Sequence, residues 1–392
     1  MTKDSAKARI REIFDESVKM RMMADVPLGA FLSGGIDSTS VVASMALQSD
    51  EPVKTFSIGF EEGAFNELNA ARMVADQYKT EHHELIVRPD AVSLLPKLVR
   101  HFDEPFGDDS SIPTYLVSEF AAQHVKVVLT GDGGDELFGG YERFFQVESF
   151  RRFDRIPGFL RDAIGLVSEA MPYSAYGKNY SRMMSQRTSA DRLLETTPIM
   201  YNARKRLLKP DWMLPAEPGY LAAKLAHYLP PAGSSPLTEA MYFEASATLT
   251  GNMLVKVDRM SMANSIEVRC PLLDHVLAEY AARIPHSWKL NTARRPVRGK
   301  DIFIEAIGDR LPPKLLSLPK KGFGVPLADW FRGVLRPMLW DRLTTGQLVK
   351  RDIVEPAFMR ELLDEHQRQR RDHYHTLFSL LMLELWLDGQ KA

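Results

Sequence analysis

The chain has 392 residues, of which 45% are hydrophobic and 26% charged, and its 50 basic side chains nearly cancel its 51 acidic ones. This composition is typical of a globular protein, and it excludes a disordered chain and a protein that binds nucleic acid through its net charge. The length favours two domains, or one domain with a large elaboration.

The first 130 residues alternate between helical and extended patterns. Apolar residues recur four apart at Ile10, Phe14, Val18 and Met22, which predicts a helix over residues 5–23. The patterns that follow predict strands over residues 28–32, 53–60, 82–87 and 125–130, and helices over residues 39–47, 66–78 and 113–123. This alternation predicts an α/β fold with a doubly wound, mainly parallel sheet.

After about Tyr141 the sequence changes to long amphipathic segments broken by prolines, which predicts a mainly helical region. We therefore expect an α/β region over residues 1–145 and a mainly helical region over residues 146–392. The apolar stretch 377–387 is too short to span a bilayer, so it predicts a buried C-terminal helix and no membrane segment. One cysteine, Cys270, excludes an internal disulfide framework and indicates a cytoplasmic location.

The strongest chemical signal is Ser-Gly-Gly-Ile-Asp-Ser at residues 33–38, between a predicted strand and a predicted helix. Its glycines permit a tight turn with N–H groups pointing inward, and the hydroxyls and the helix N-terminus add further attraction for an anion. The loop lacks the lysine of a Walker motif. Asp37 in such a cradle indicates Mg²⁺ bridging phosphates. The alternative is an ordinary strand-to-helix turn.

A second glycine-rich loop, Leu-Thr-Gly-Asp-Gly-Gly-Asp-Glu-Leu-Phe-Gly-Gly-Tyr at residues 129–141, also follows a predicted buried strand. Ligands bind at the carboxyl ends of neighbouring strands in such sheets, so the two loops are expected to face each other. Asp135 would then oppose Asp37 across a metal ion. The alternative is a multiple-turn loop without a ligand.

Two later segments carry dense charge. Residues 255–274 hold five charged side chains amid apolar ones, at Asp258, Arg259, Glu267, Arg269 and Asp274. They are either an ion-pair scaffold or a substrate pocket in which Arg269 faces a carboxylate, and the sequence leaves both readings open. Residues 320–326, Lys-Lys-Gly-Phe-Gly-Val-Pro, are either a turn that brings a lysine over a reacting phosphate or a solvated loop.

The first loop resembles the pyrophosphate loop of the N-type ATP pyrophosphatases, and the second narrows the resemblance to the asparagine synthetase and β-lactam synthetase branch. All four segments occur in family order, from about residue 5 to the last helix. The resemblance implies that MgATP is bound, with Mg²⁺ held by Asp37 and Asp135. It assigns the pyrophosphate and adenosine to Leu32, Ser33, Gly34, Gly35, Asp37, Ser38, Ile58, Thr130 and Gly131.

The implied reaction adenylates a carboxylate, either aspartate or a related acid, and transfers ammonia to it with release of AMP and pyrophosphate. The resemblance implies that Lys320 stabilises negative charge, and Asp132 or Glu104 is available for proton transfer. Glu267, Arg269 and Asp274 are the candidate pocket residues. The alternatives are an intramolecular cyclase that forms a β-lactam or peptide ring and a non-catalytic nucleotide-binding regulator.

The sequence departs from the family in three places. Met1 is followed by Thr2 and the first helix, which leaves no room for a glutaminase domain with an N-terminal cysteine, so a separate glutaminase, free ammonia, a substrate amine or a truncated chain is expected. Asp132 stands where asparagine synthetases commonly have glutamate. The acidic loop 103–111 occupies a stretch where some of them present an arginine, which puts aspartate as substrate in doubt. No nucleic-acid partner is expected, and a homodimer is one alternative for the assembly.

Overall fold

A computed structural model describes residues 1–61, 67–88, 93–171, 175–187, 192, 206–213, 226–231, 233–291, 299–318 and 324–390. Its centre is a five-stranded parallel sheet in the order β3-β2-β1-β4-β5. The strands are β1 (Leu28–Phe31), β2 (Lys54–Phe60), β3 (Glu81–Val87), β4 (Val127–Leu129) and β5 (Glu267–Arg269). The predicted α/β class with a mainly parallel sheet is therefore confirmed.

The strand order places a crevice between β1 and β4. In the central strand, Ala30 pairs with Thr55 of β2 on one side and with Leu129 of β4 on the other. The chain first builds outward from β1 through β2 to β3, and then crosses to β4 on the opposite side. In a doubly wound sheet, the loops that follow the two strands at this reversal flank a ligand crevice.

Helices surround the sheet on both faces. The described α-helices are α1 (Lys3–Met22), α2 (Ile36–Gln48), α3 (Leu68–Tyr78), α4 (Leu95–Phe102), α5 (Ser111–Ala121), α6 (Gly134–Phe138), α7 (Glu142–Phe150), α8 (Gly158–Ala170), α9 (Lys178–Ser185), α10 (Pro236–Phe243), α11 (Leu254–Met262), α12 (His275–Ala282), α13 (His286–Lys289), α14 (Asp301–Ile307), α15 (Leu327–Arg332), α16 (Arg336–Thr345), α17 (Gln347–Lys350), α18 (Pro356–Gln367) and α19 (Tyr374–Gly389). A π-helix (Glu244–Met253) runs directly into α11. Short 3-10 turns lie at Arg151–Arg155, Pro210–Trp212, Ala226–Tyr228, Pro271–Leu273, Gly308–Arg310 and Leu315–Ser317.

The first helix begins and packs as its sequence predicts. The Thr2 hydroxyl accepts a hydrogen bond from the Ser5 backbone N–H at 3.2 Å, and the Ser5 hydroxyl caps the Thr2 backbone in return. This reciprocal pair satisfies amide groups that the helix leaves without an internal partner. In the predicted apolar stripe, Ile10, Phe14 and Val18 are fully buried, and Met22 at its end is half-buried.

Two hydrophobic cores fill the two faces of the sheet, and each joins residues from both sides of position 145. One core brings Phe56 and Tyr115 together with Trp330 and Leu377. The other combines early residues such as Phe14 with late ones such as Phe303. The division at 145/146 stays a prediction, while the cores themselves are shared between its two parts.

The region predicted to be mainly helical also supplies a strand, which the sequence did not predict. Strand β5 has three residues, and Val268 pairs with Val128 of β4. A segment this short owes its conformation to its neighbour and leaves no periodic pattern of its own.

At the other end of this region, α19 contains the predicted buried stretch, with Leu377 and Leu381 fully buried. None of the helices in the described ranges is both long enough and apolar enough to cross a membrane.

Candidate functional site

The loop after β1 is a compact turn held by its own hydroxyls. The Ser33 and Ser38 hydroxyl oxygens lie 3.0 Å apart, and the Gly35 backbone N–H donates to the Ser33 hydroxyl at 3.2 Å. Gly34 has φ +75°, and a methyl group there would lie 2.7 Å from the Ala71 nitrogen of α3. Glycine is therefore required at this position both by the backbone conformation and by the approach of α3.

The loop after β4 is in direct contact with the loop after β1, as the strand order predicted. A methyl group on Gly131 would lie 2.6 Å from the Ser38 nitrogen and 2.8 Å from the Asp37 carbonyl carbon. A methyl group on Gly134 would lie 2.6 Å from the Asp37 carboxyl carbon. The glycines of the second loop thus leave room for the backbone and side chain of the first.

Asp37 and Asp135, the two predicted metal ligands, converge on one lysine that the sequence did not identify. The Lys300 ammonium donates to Asp37 Oδ2 and lies 2.9 Å from Asp135 Oδ1. Lys300 is only 5% exposed. Burial alone would lower the pKa of this ammonium, but the charges of Asp37 and Asp135 outweigh burial and raise it.

Backbone contacts fix Lys300 beside the second loop. Its N–H donates to the Phe138 carbonyl at 3.1 Å, and its own φ of +62° turns the chain into α14. A methyl group on the preceding Gly299 would lie 2.9 Å from Gly140 Cα. The sequence signal was a lysine between a glycine and an acidic first residue of a helix, Gly299-Lys300-Asp301, which is too common a pattern to be singled out on its own.

The carboxylate pair suits a magnesium ion that is shared with phosphates. Mg²⁺ prefers oxygen ligands and is commonly held by one or two carboxylates together with substrate phosphates and waters. Asp37 and Asp135 supply two such carboxylates at the crevice, beside the anion-cradling loop. Within the described residues, no group of three or more His, Cys, Asp or Glu could hold a metal by itself. The donor set therefore fits a metal that binds with a nucleotide.

Asp132 lies in the same crevice and is oriented by its neighbour. The Thr130 hydroxyl donates to Asp132 Oδ2 at 2.7 Å and lies 3.4 Å from the Cys270 sulfur. Burial raises the pKa of the Cys270 thiol to about 12, and the charge of Asp132 adds to this effect. The thiol is thus kept protonated, and the Asp132 carboxylate near it is held by the Thr130 hydroxyl.

A buried glutamate, Glu136, forms a hydrogen bond within the second loop. The Tyr141 hydroxyl donates to Glu136 Oε1 at 2.5 Å. Burial raises the pKa of Glu136 to about 7, against the lowering effect of that hydrogen bond. Arg143 reaches from α7 to Glu244 at the start of the π-helix, at 2.8 Å. The Arg143–Glu244 pair thus ties α7, which follows the second loop, to the π-helix that precedes α11.

Two of the residues assigned to adenosine, Leu32 and Ile58, lie at the crevice end of β1 and in β2. Leu32 and Ile58 are 1% and 7% exposed, so their side chains belong to the core and only their backbones could face a ligand. The Leu32 N–H donates to the Phe56 carbonyl at 2.9 Å, and the Leu32 carbonyl accepts from the Ser57 hydroxyl. The nucleoside contacts of Leu32, Ile58, Thr130 and Gly131 stay predictions.

The acidic loop before α5 contacts a second buried lysine, Lys256, to which no role was predicted from the sequence. Lys256, which is 4% exposed in α11, donates to the Ser110 hydroxyl at 2.6 Å and lies 3.4 Å from Asp108 Oδ2. Burial raises the pKa of Asp109 to about 7, and the neighbouring Asp108 adds to the rise. Glu104, the other predicted proton-transfer residue, is exposed on the same loop.

The candidate pocket residues take part in a scaffold. Arg269 donates to the backbone carbonyls of Arg21 and Met23, at 2.8 and 2.7 Å, and pairs with Glu267 at 2.6 Å. Asp274 accepts the Val276 N–H at 2.9 Å and pairs with Arg21 at 3.1 Å. These contacts tie the end of α1 to β5 and α12, and they favour the ion-pair alternative over a substrate pocket.

The first four residues of the fourth predicted segment lie outside the described residues. Lys320, Lys321, Gly322 and Phe323 are among the positions that the structure does not describe, so the role of Lys320 stays a prediction. The description resumes at Gly324, which leads into α15.

The sequence of the chain is similar to those of several known proteins. The family model for asparagine synthase matches residues 9–388. Over 98% of its length, the chain is 34% identical to a Mycobacterium tuberculosis protein provisionally named a glutamine-hydrolyzing asparagine synthetase, and 31% identical to the Bacillus subtilis glutamine-hydrolyzing asparagine synthetase 1. It covers 58% and 59% of those two proteins. The chain is also 25% identical, over 93% of its length, to the amidase chry2 of Gibberella zeae, of which it covers 59%.

Proposed function

The chain belongs to the asparagine synthase family, and from that premise we propose that it is an ATP-dependent synthetase that adenylates a carboxylate and forms an amide. The observation that carries this proposal is the convergence of Asp37, Asp135 and Lys300 between two touching glycine loops at the reversal of strand order. Such a crevice is where doubly wound sheets bind nucleotides. The matched relatives are longer than this chain, so their substrates and nitrogen sources come to it only as proposals.

The proposed reaction has two steps. An oxygen of the substrate carboxylate attacks the α-phosphorus of ATP, and the bond to the bridging oxygen breaks with release of pyrophosphate. The nitrogen of ammonia or of an amine then attacks the acyl carbon of the acyl-adenylate, loses a proton, and expels AMP. Adenylation thereby turns a poor leaving oxygen into a good one.

The residues of the chain have distinct parts in this scheme. The backbone N–H groups and hydroxyls of residues 33–38, at the N-terminus of α2, bind the pyrophosphate portion of ATP. Asp37 and Asp135 would hold Mg²⁺, which neutralises phosphate charge when it is bound. Asp132, oriented by Thr130, accepts the proton of the attacking nitrogen, with Glu104 as the alternative base.

The acyl substrate is an acid whose identity the acidic loop constrains. The buried lysine near that loop, Lys256, is already paired with Asp108 and Ser110. A substrate with a second carboxylate, such as aspartate, would meet the anionic Asp108 at this loop, and the lysine that contacts Asp108 is already engaged with it. We therefore favour a carboxylate other than aspartate, and an intramolecular cyclisation stays the second candidate because its nucleophile is an amine of the substrate.

A screen of carboxylates with ammonium and MgATP tests the proposal. We expect AMP and pyrophosphate in equal amounts, because the glycine loop is matched to a diphosphate leaving group. Asp37→Asn and Asp135→Asn should each lose turnover, since each removes one metal ligand. The fold should be retained, because Lys300 keeps its other carboxylate partner in either variant. ADP and phosphate as products would contradict adenylation. A catalytically silent protein that still binds ATP would favour the regulator alternative.

A further inference from the structure

We propose that Lys300 makes metal binding by the Asp37 and Asp135 pair depend on bound nucleotide. The inference rests on the proposed function, which supplies the nucleotide and the metal. In the absence of ATP, the Lys300 ammonium is the cation that contacts both carboxylates.

The geometry places one cation on both carboxylates. The Lys300 ammonium donates to Asp37 Oδ2 and is 2.9 Å from Asp135 Oδ1. The Lys300 side chain is 6% exposed, and those of the two aspartates are about one fifth exposed. Water therefore screens this contact far less than it would screen a surface pair.

The lysine is held at this point by close backbone packing. Its N–H donates to the Phe138 carbonyl in the same loop that carries Asp135, and a methyl group on Gly299 would lie 2.9 Å from the Gly139 carbonyl carbon. A methyl group on Gly140 would collide with both Asp135 Oδ1 and Lys300 Cε. The backbone at Lys300 therefore cannot withdraw from the carboxylates without moving the second loop.

The positive charge of Lys300 determines which ligands can bind to the two carboxylates. A divalent cation on these carboxylates would lie within a few ångströms of the ammonium, so the two positive charges repel each other in a poorly screened site. The polyphosphate of ATP carries enough negative charge to offset both. Metal and nucleotide are thus expected to bind together, whereas the metal alone is disfavoured.

A lysine that only positioned the carboxylates would act in the opposite direction. Its removal would loosen Asp37 and Asp135 and weaken metal binding under every condition. Removal of a repelling charge instead strengthens metal binding in the absence of nucleotide. The sign of this change separates the two roles.

The experiment measures Mn²⁺ binding to the full chain by electron paramagnetic resonance of the free ion, with and without ATP. We expect Lys300→Met and Lys300→Gln to bind Mn²⁺ without ATP about tenfold more tightly than the wild type. The factor by which ATP tightens Mn²⁺ binding should be smaller in these two variants than in the wild type, by a similar amount. Lys300→Arg keeps the charge and should behave as the wild type. Lys289→Met is the matched control, because Lys289 is another buried lysine, 2% exposed, in α13.

A thermal unfolding curve gives a second readout. Mn²⁺ without ATP should raise the melting temperature of both neutral variants and leave that of the wild type unchanged. Unchanged or weaker Mn²⁺ binding by Lys300→Met and Lys300→Gln would overturn the inference. Asp135→Asn separates this failure from a failure of the proposed function. If that variant kept wild-type affinity for MnATP, the metal assignment itself would be wrong.

Discussion

Two neighbouring aspartates before α5 have opposite electrostatic roles. Lys256 lowers the pKa of Asp108, although burial opposes this effect. Burial raises the pKa of Asp109 to about 7. One carboxylate is therefore the partner of a buried lysine, and its neighbour is held close to neutral, so the charge of the acidic loop is smaller than its sequence suggests.

The raised pKa of Asp109 predicts a loss of stability with rising pH. An acid whose pKa is raised by folding contributes its full stability below its unfolded pKa, near 3.8, and loses it as the pH rises through about 7. In the wild type, this loss should lower the free energy of unfolding at pH 8 by about 2 to 4 kcal/mol relative to pH 4. Asp109→Asn should remove that pH-dependent loss. Denaturant unfolding across this pH range measures it.

Asp108→Asn is the matched control for that comparison. It removes the anionic partner of Lys256 and leaves a buried ammonium without its ion pair, so it should destabilise the protein at pH 8 by about 3 kcal/mol. If Asp109→Asn kept the wild-type pH profile, Asp109 would not be the titrating group.

The lysines at positions 320 and 321 carry a second residue-scale prediction. Lys320→Ala should lower the rate constant for amide formation about 100- to 1000-fold, or roughly 3 to 4 kcal/mol, because a preorganised cation that stabilises developing charge is removed. The Michaelis constant for ATP should change much less, since the loop backbone provides most of the binding. Lys321→Ala should be milder. If Lys321→Ala were the more damaging change, the assignment would be off by one residue.

At the scale of elements, a buried carboxylate joins two helices near the C-terminus. Glu384 in α19 is 1% exposed, and its two oxygens accept the backbone N–H groups of Gln347 and Leu348 at 2.6 and 2.8 Å. It thereby satisfies amides that begin α17 and have no partner within that helix. The last helix therefore fixes α17 through hydrogen bonds as well as through apolar packing.

Glu384→Gln should destabilise the protein by about 2 kcal/mol, because an amide has one acceptor oxygen and its NH₂ group would face a backbone donor. Chemical denaturation measures the change in the free energy of unfolding. Glu361→Gln is the control, since Glu361 forms an exposed pair with Arg206 and its loss should cost less than about 1 kcal/mol. Equal effects of the two substitutions would contradict the capping role.

At the scale of the whole molecule, the cysteine content predicts which nitrogen source this chain uses. The chain has a single cysteine, Cys270, and the raised pKa of its thiol, about 12, keeps it from acting as a thiolate nucleophile at neutral pH. We expect the purified 392-residue chain to form amide with ammonium and not with glutamine. Addition of a separate glutaminase should restore use of glutamine. Glutamine-dependent amide formation by the chain alone would be evidence against this prediction.

The order of strands and helices around the two loops could be predicted from the amino-acid sequence, and so could the family resemblance that these loops carry. Periodic apolar residues and paired glycines act on the local backbone, so the loop at residues 33–38 and its place between β1 and α2 could be predicted from a few consecutive residues. The contact between the two glycine loops followed from the general rule for doubly wound sheets.

The contacts between side chains that are distant in the sequence could not be predicted and are seen only in the folded chain. Lys300 is 263 positions from Asp37, and Lys256 is 148 positions from Asp108, so no local pattern joins either pair. Strand β5 likewise takes its conformation from β4. Such contacts depend on how helices and loops pack around the sheet, where close packing and charge pairing act on groups that the chain brings together only after folding.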